Sequence, residues 1–305
     1  MAIALGPRKY PTKGACIYCG KTGFLLTDEH VVPLSIGGKH VIEKASCVIC
    51  ANITGRFEQD IARGLWGEAR ASYNAPTRRK KEQAKFFLLK DPNGISGDLT
   101  VSAEKYPALM IFYKMPIAGI LAGIDYSVNR LAQWELKVIV DANRFEEFQL
   151  RHPGRLTATF NHVPDSFGRM LAKIGHCYLL TALDLSDFNP ICLPYVLGKK
   201  SNVSHVVGSS PINAPLQLEL GYSLRVVQLS TVDRTLLMVE IRLLANNDTP
   251  TYHIVVGEVD GRENVDRISK KLNAVQPAEK AEEVTRQSAP LSGYPWIPQV
   301  WPLKL

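Results

Sequence analysis

The sequence predicts an α+β fold in two parts: a small N-terminal unit stapled by cysteines, then a larger α+β domain with an antiparallel meander. Three observations predict it. Two C-x-x-C pairs, Cys16/Cys19 and Cys47/Cys50, fall within 35 residues. Residues 165–183 carry apolar side chains at helical spacing. Three later segments alternate with period two and are parted by turn residues. With 305 residues, 46% of them hydrophobic and 21% charged, the chain can bury a sizeable core and reads as globular rather than disordered.

Taken in order, residues 1–73 form the first unit. "FLLT" (24–27) predicts a short strand. Residues 51–73 predict a helix, because Phe57, Ile61, Leu65 and Ala69 recur on one face. Residues 74–85 form a charged linker that carries Arg78, Arg79, Lys80 and Lys81; the run reads either as a solvated linker or as an arm that contacts phosphates. Residues 86–260 form the second domain. "FFLLK", "LTVSA" and "WELKVIV" predict strands, and "DANRFEEFQLRH" a short helix. The apolar run 106–124 contains Pro107, Lys114 and Pro116, and predicts a pair of buried strands rather than a membrane span. The helix over 165–183 has Phe167, Met170, Leu171, Ile174 and Tyr178 on one face. The meander follows, with "STVDR" and "ANNDTP" as its turns. From Gly261 the chain is polar until a Trp- and Pro-rich end, whose Trp296 and Trp301 are expected to dock on the body or on a partner subunit.

Charge is unevenly spread. The net is +7, but residues 1–90 hold 15 Lys and Arg against 7 Asp and Glu, while the remaining 215 hold 21 against 22. A positive field confined to the first third points to a polyanionic partner such as nucleic acid. No secretory signal is visible and no membrane span is expected, so the chain is expected to be cytoplasmic. In that setting two C-x-x-C pairs read as metal ligands rather than disulfides. Four thiolates at this spacing suit one tetrahedral Zn2+ whose shell has no room for water, a structural site. The alternative is four buried free thiols.

Between the cysteine pairs stands Glu29-His30, followed by Pro33 and by Gly37-Gly38. Phosphodiester hydrolysis needs a cation to neutralise charge on the phosphate and a neutral imidazole to take a proton from water. A bent loop bearing a proline could aim the carboxylate at an ion and the histidine at the water.

"CIYCG", "LTDEHVVPLSIGG" and "ASCVICANITGRFE" together resemble the HNH endonucleases of the ββα-metal type with a four-cysteine zinc site, over residues 14–60. The resemblance implies that Glu29 ligates a catalytic divalent ion, Mg2+ or another, and that His30 is the general base. It implies that Cys16, Cys19, Cys47 and Cys50 hold zinc. The family pattern has His or Asn directly after the second cysteine pair, where this chain has Ala51. Asn52 is then the last ligand to the ion, or else a helix N-cap, with Glu58 the other candidate ligand. The family's central asparagine is absent between Gly38 and Cys47; His40, Glu43 or a backbone carbonyl stands in for it.

The implied function is metal-dependent hydrolysis of DNA, expected to be double-stranded. The run Arg78–Lys81 would hold phosphates, and residues 86–305 would select the substrate or form a homodimer. The other reading is a zinc module that binds nucleic acid without cutting it, with the C-terminal domain for assembly. The other histidines, at 152, 162, 176, 205 and 253, read as structural or surface residues.

Overall fold

The computed structural model describes residues 8–76, 84–91, 97–155, 159–211, 216, 221–231 and 234–275, and the backbone of 297–301. It has both helices and open sheets, an α+β protein. The linker run Arg78, Arg79, Lys80 and Lys81 lies outside the described residues, as does Trp296.

The N-terminal sheet has the order β1-β3-β2, with β1 (Lys9–Tyr10) parallel to β3 (Val41–Cys47) and β2 (Leu26–His30) antiparallel to it. The strand expected over 24–27 begins later, at Leu26. Phe24 and Leu25 instead stay exposed, because the pairing starts where Leu26 faces Cys47. Helix α1 (Val48–Gln59) begins three residues before the expected start, directly on Cys47. The expected single helix is also interrupted. A π-helical turn, Asp60–Leu65, separates α1 from α2 (Gly67–Ser72). Outside contacts hold the turn: the amide of Asn161 donates to the carbonyl of Gly64 at 2.8 Å, and Ser166 Oγ donates to Asp60 at 2.7 Å.

Two hairpins follow, β4 (Phe86–Leu89) with β5 (Leu99–Ser102), and β6 (Met110–Lys114) with β7 (Glu135–Ile139). Only β6 is a strand within the apolar run 106–124, where a pair was expected. Beyond Pro116 the chain turns, and Ala118 and Leu121 pack on one face of the main sheet. Helix α3 (Ala142–Arg151) is capped by Asp141, which accepts the amide of Arg144.

Helix α4 (Pro164–Leu179) is the centre of the molecule. Its pattern predicts one buried face, yet 12 of its 16 residues are buried, Lys173 and His176 among them. The main sheet, built on β10 (Tyr222–Ser230), β11 (Thr235–Leu243) and β12 (Tyr252–Val259), covers one side, and α1 covers the other. The meander is antiparallel in the expected order. Two short strands, β8 (Asn189–Pro190) and β9 (Val207–Ser209), pair with β12, and α5 (Leu193–Val196) packs on α4.

Two segments beyond Gly261 form regular structure. Helix α6 (Arg262–Val275) buries Ile268 and Leu272, with Val265 packed beside them; their i, i+3, i+7 spacing is diluted by charged neighbours. Strand β13 (Ile297–Trp301) then pairs antiparallel with β10, so this segment docks on the body of the chain.

One hydrophobic core runs through both parts. Phe57, Ile61 and Trp66 belong to the same cluster as Phe167, Met170 and Ile254. Trp66, 1% exposed, donates its indole N–H to the carbonyl of Ile111 at 2.6 Å and meets Phe167 edge-on. Truncating such a side chain to alanine typically costs about 3–5 kcal/mol.

Candidate functional site

The cysteine clasp is assembled from two turns. Gly20, at φ 71°, closes the first by donating its amide to the carbonyl of Cys16 at 2.8 Å. The second is the start of α1. The four sulfurs lie within 4.8 Å of one another, with Cys19 and Cys47 3.9 Å apart, spacings that suit a tetrahedral ion with metal–sulfur bonds of about 2.3 Å. The amide of Cys47 donates to Cys16 Sγ at 3.4 Å. Burial alone would raise the Cys16 thiol, but donated backbone hydrogen bonds outweigh it and bring it down to about 7. Cys50 is pushed up by burial, by Cys47 and by the charge of Cys16. Crowded thiols of this kind ionise together only around a cation, so the donor set fits a structural metal such as zinc. Among the described residues it is the only group of three or more His, Cys, Asp or Glu side chains placed to hold one ion.

"HVVPLSIGG" is a turn with two different glycine requirements. Leu34–Ile36 form a 3-10 turn after Pro33, and Gly37 ends it at φ 91°. Gly38 passes so close to Val32 that a Cβ there would lie 1.8 Å from its carbonyl oxygen. The close pass returns the chain toward β3, and just before it the His40 carbonyl accepts the amide of Val31.

Glu29 and His30 are not in the loop. They are the last two residues of β2, where successive side chains point to opposite faces. His30 lines an open cleft of about 1170 Å³, together with Asp28, Lys44, Gln59, Arg63 and Arg70. Glu29, 8% exposed, also lines the cleft, as does Glu58, and is far more buried than the exposed Asp28. Opposite Asp28 the β3 strand bulges between its pairings to Thr27 and Glu29, and Lys44 adopts φ 45° there. The bulge carries Lys44 and the π-turn carries the exposed Arg63, and both line the cleft. Arg70 has a bracing role, donating to the carbonyls of Ser35, Ala62 and Pro76.

The buried carboxylate has a partner from the other part of the chain. Lys173 on α4 is 0% exposed. Its Nζ is 2.7 Å from Glu29 Oε1 and 3.0 Å from Glu58 Oε1, and it donates to the carbonyl oxygen of His30. The Glu58 contact is an ion pair without hydrogen-bond geometry. Burial pulls the Lys173 ammonium down, but Glu29, Glu58 and Cys177 together reverse this and hold it above the ordinary lysine value. Burial raises the Glu29 carboxyl and Lys173 opposes the rise. The ammonium stands where an ion bridging Glu29 Oε1 and Glu58 Oε1 would stand, so a divalent ion does not fit between those two oxygens.

The remaining candidates are dispersed. Asn52 is exposed on α1 and is not among the residues that line the cleft, whereas Ala51, Thr54, Gly55 and Glu58 are. It is not the N-cap either, since Cys47 holds that position. Of the possible stand-ins for the central asparagine, Glu43 pairs with Lys9 at the surface, and the His40 ring is buried beside Tyr10. Sequence reasoning passed over Lys173, Arg63, Lys44 and Asp28. Strand alternation could have placed Asp28 with His30, but no local signal marks Lys173.

Residues 16–63 match the family model of the HNH endonucleases. No curated protein and no solved structure matches the chain significantly. Among the described residues no helix is long and apolar enough to cross a membrane.

Proposed function

We propose that the chain is an endonuclease that hydrolyses DNA phosphodiester bonds in the cleft beside His30. The observation that carries this reading is the position of His30 on the wall of an open cleft whose sides hold Lys44 and Arg63, within the segment that matches the nuclease family. In this reading the backbone phosphates lie between the two cations, which register the DNA without reading its sequence. The imidazole takes a proton from water, the water oxygen bonds to phosphorus, and the leaving oxygen departs with the electrons of the broken P–O bond. Duplex DNA is the proposed substrate, and residues 86–305 select it or dimerise.

The second reading is a module that binds nucleic acid without cutting it. The pairing of Glu29 with Lys173 favours it, because the acid implied to hold a catalytic ion is engaged elsewhere.

Supercoiled plasmid incubated with Mg2+, Mn2+, Ni2+ or EDTA separates the readings, with His30→Ala alongside. Nicking by the wild type, reduced about 10²–10⁴-fold in His30→Ala with zinc content intact, is the expected result. Binding without nicking under every condition selects the second reading.

A further inference from the structure

We propose that Lys173 is the built-in cation of the Glu29–Glu58 pair, taking the place of a divalent ion at this nuclease-type site. The proposal rests on the reading of the site as HNH-like but not on its being active. Three oxygens converge on the ammonium: one from Glu29, one from Glu58 and the carbonyl of His30. An ammonium has donors and no acceptor: it gives a hydrogen bond to the His30 carbonyl and is held at ion-pair distance by both carboxylates. A bridging divalent ion would need the same oxygens at about 2.0–2.6 Å, and would meet a full positive charge where it should sit.

The lysine is built in. It belongs to the most buried helix among the described residues, and 143 residues separate it from His30. At 0% exposure it cannot swing out into solvent without opening the contact between α1 and α4. Burying an ammonium is costly unless it is fully paired, and here two carboxylates and a carbonyl pair it. The pair in turn needs it. Two carboxylates close enough to share one nitrogen repel each other unless a cation lies between them.

Glu29 is then a counter-ion that fixes the end of β2 through Lys173, and so fixes the backbone of His30. It is a positioning residue, not a ligand. Phosphate charge in the cleft falls to Lys44 and Arg63.

The test is Mn2+ uptake by the zinc-loaded full chain, followed by the loss of the free-ion electron paramagnetic resonance signal. Wild type and Glu29→Gln should take up the same amount of Mn2+. Lys173→Met removes the like charge that stands at the ion position, and should gain one Mn2+ with affinity at least about tenfold tighter than any wild-type site. The double variant Lys173→Met/Glu29→Gln should lose it again. A wild-type Mn2+ site that Glu29→Gln abolishes would overturn the proposal, and so would a folded Lys173→Met that takes up no more than wild type. Should Lys173→Met fail to fold, the comparison of wild type with Glu29→Gln still decides. Plasmid nicking is read separately: an inactive protein with this uptake pattern overturns the endonuclease reading and leaves Lys173 as the site's cation.

Discussion

Asp28 Oδ1 accepts the backbone amide of Lys44 at 3.0 Å, and this bond fastens the β-bulge that carries Lys44 onto the rim of the cleft. The strained backbone of Lys44, φ 45°, is thereby held by a side chain from the strand that carries His30. Asp28 thus braces one cation of the cleft, and its more buried neighbour Glu29 pairs with another, Lys173.

Lys44 and Arg63 should supply the phosphate contacts. Each such contact contributes roughly −0.9 to the slope of log affinity against log salt. Replacing both by Gln should weaken binding to every DNA sequence and flatten the slope by about two units. Turnover at saturating protein should change far less than in His30→Ala. Fluorescence anisotropy across a salt series gives the slope; an unchanged slope would move the DNA track elsewhere, with Arg78–Lys81 the next run to test.

The two glycines after "PLSI" should respond differently. Gly37→Ala forces an alanine into left-handed backbone with open space around it, at about 1–2 kcal/mol. Gly38→Ala drives a Cβ into the carbonyl of Val32, and should cost roughly 3 kcal/mol because the backbone of the turn must open. Urea unfolding of the two variants checks the order. Equal costs would mean that the close pass at Gly38 is relaxed.

Removing one sulfur should remove the metal. Cys47→Ser should abolish zinc binding, measured by elemental analysis, and unfold residues 16–50, since a structural metal carries the folding energy of such a module. Because α1 covers α4, hydrogen exchange on α4 should rise as well, while the pairing of β10 with β11 stays protected. Protection of α4 at the wild-type level would show that the first unit folds without its clasp.

His176 gives the chain an acid-sensitive joint. Its Nε2–H donates to the carbonyl of Ile17 in the first cysteine turn at 2.8 Å. Burial holds the imidazole neutral and lowers it from 6.5 to about 4. A base lowered in the folded state contributes stability above its unfolded value, and that contribution is lost as pH falls from 6.5 through about 4. The loss amounts to roughly 3 kcal/mol at 1.36 kcal/mol per unit. His176→Gln keeps a donor for Ile17 and does not titrate. Its stability should fall less steeply than wild type over that range, as read by denaturant midpoints at several pH values. Parallel curves would remove His176 from the acid response.

Local chemistry was legible in the sequence. The cysteine spacing marked the clasp, because two sulfurs two residues apart reach one ion from a single turn. The period-two segments gave the meander, and the helical period of 165–183 gave α4. Glu-His followed by Pro and Gly-Gly marked the site through its chemistry and its resemblance to the nuclease family, although the pair was expected in a bent loop and stands at the end of β2. Other features only the tertiary structure decided. Whether Glu29 meets an ion or an ammonium depends on α4, brought beneath β2 from 143 residues away. That Asn52 faces away from the cleft depends on a helix that starts on Cys47. The rim cations depend on a bulge and a π-turn held by distant contacts, Asn161 and Ser166 among them. Apart from the start of that helix, these are relations between residues far apart in the chain. Periodicity and spacing report only on neighbours, so such relations form when the core closes and leave no local signature.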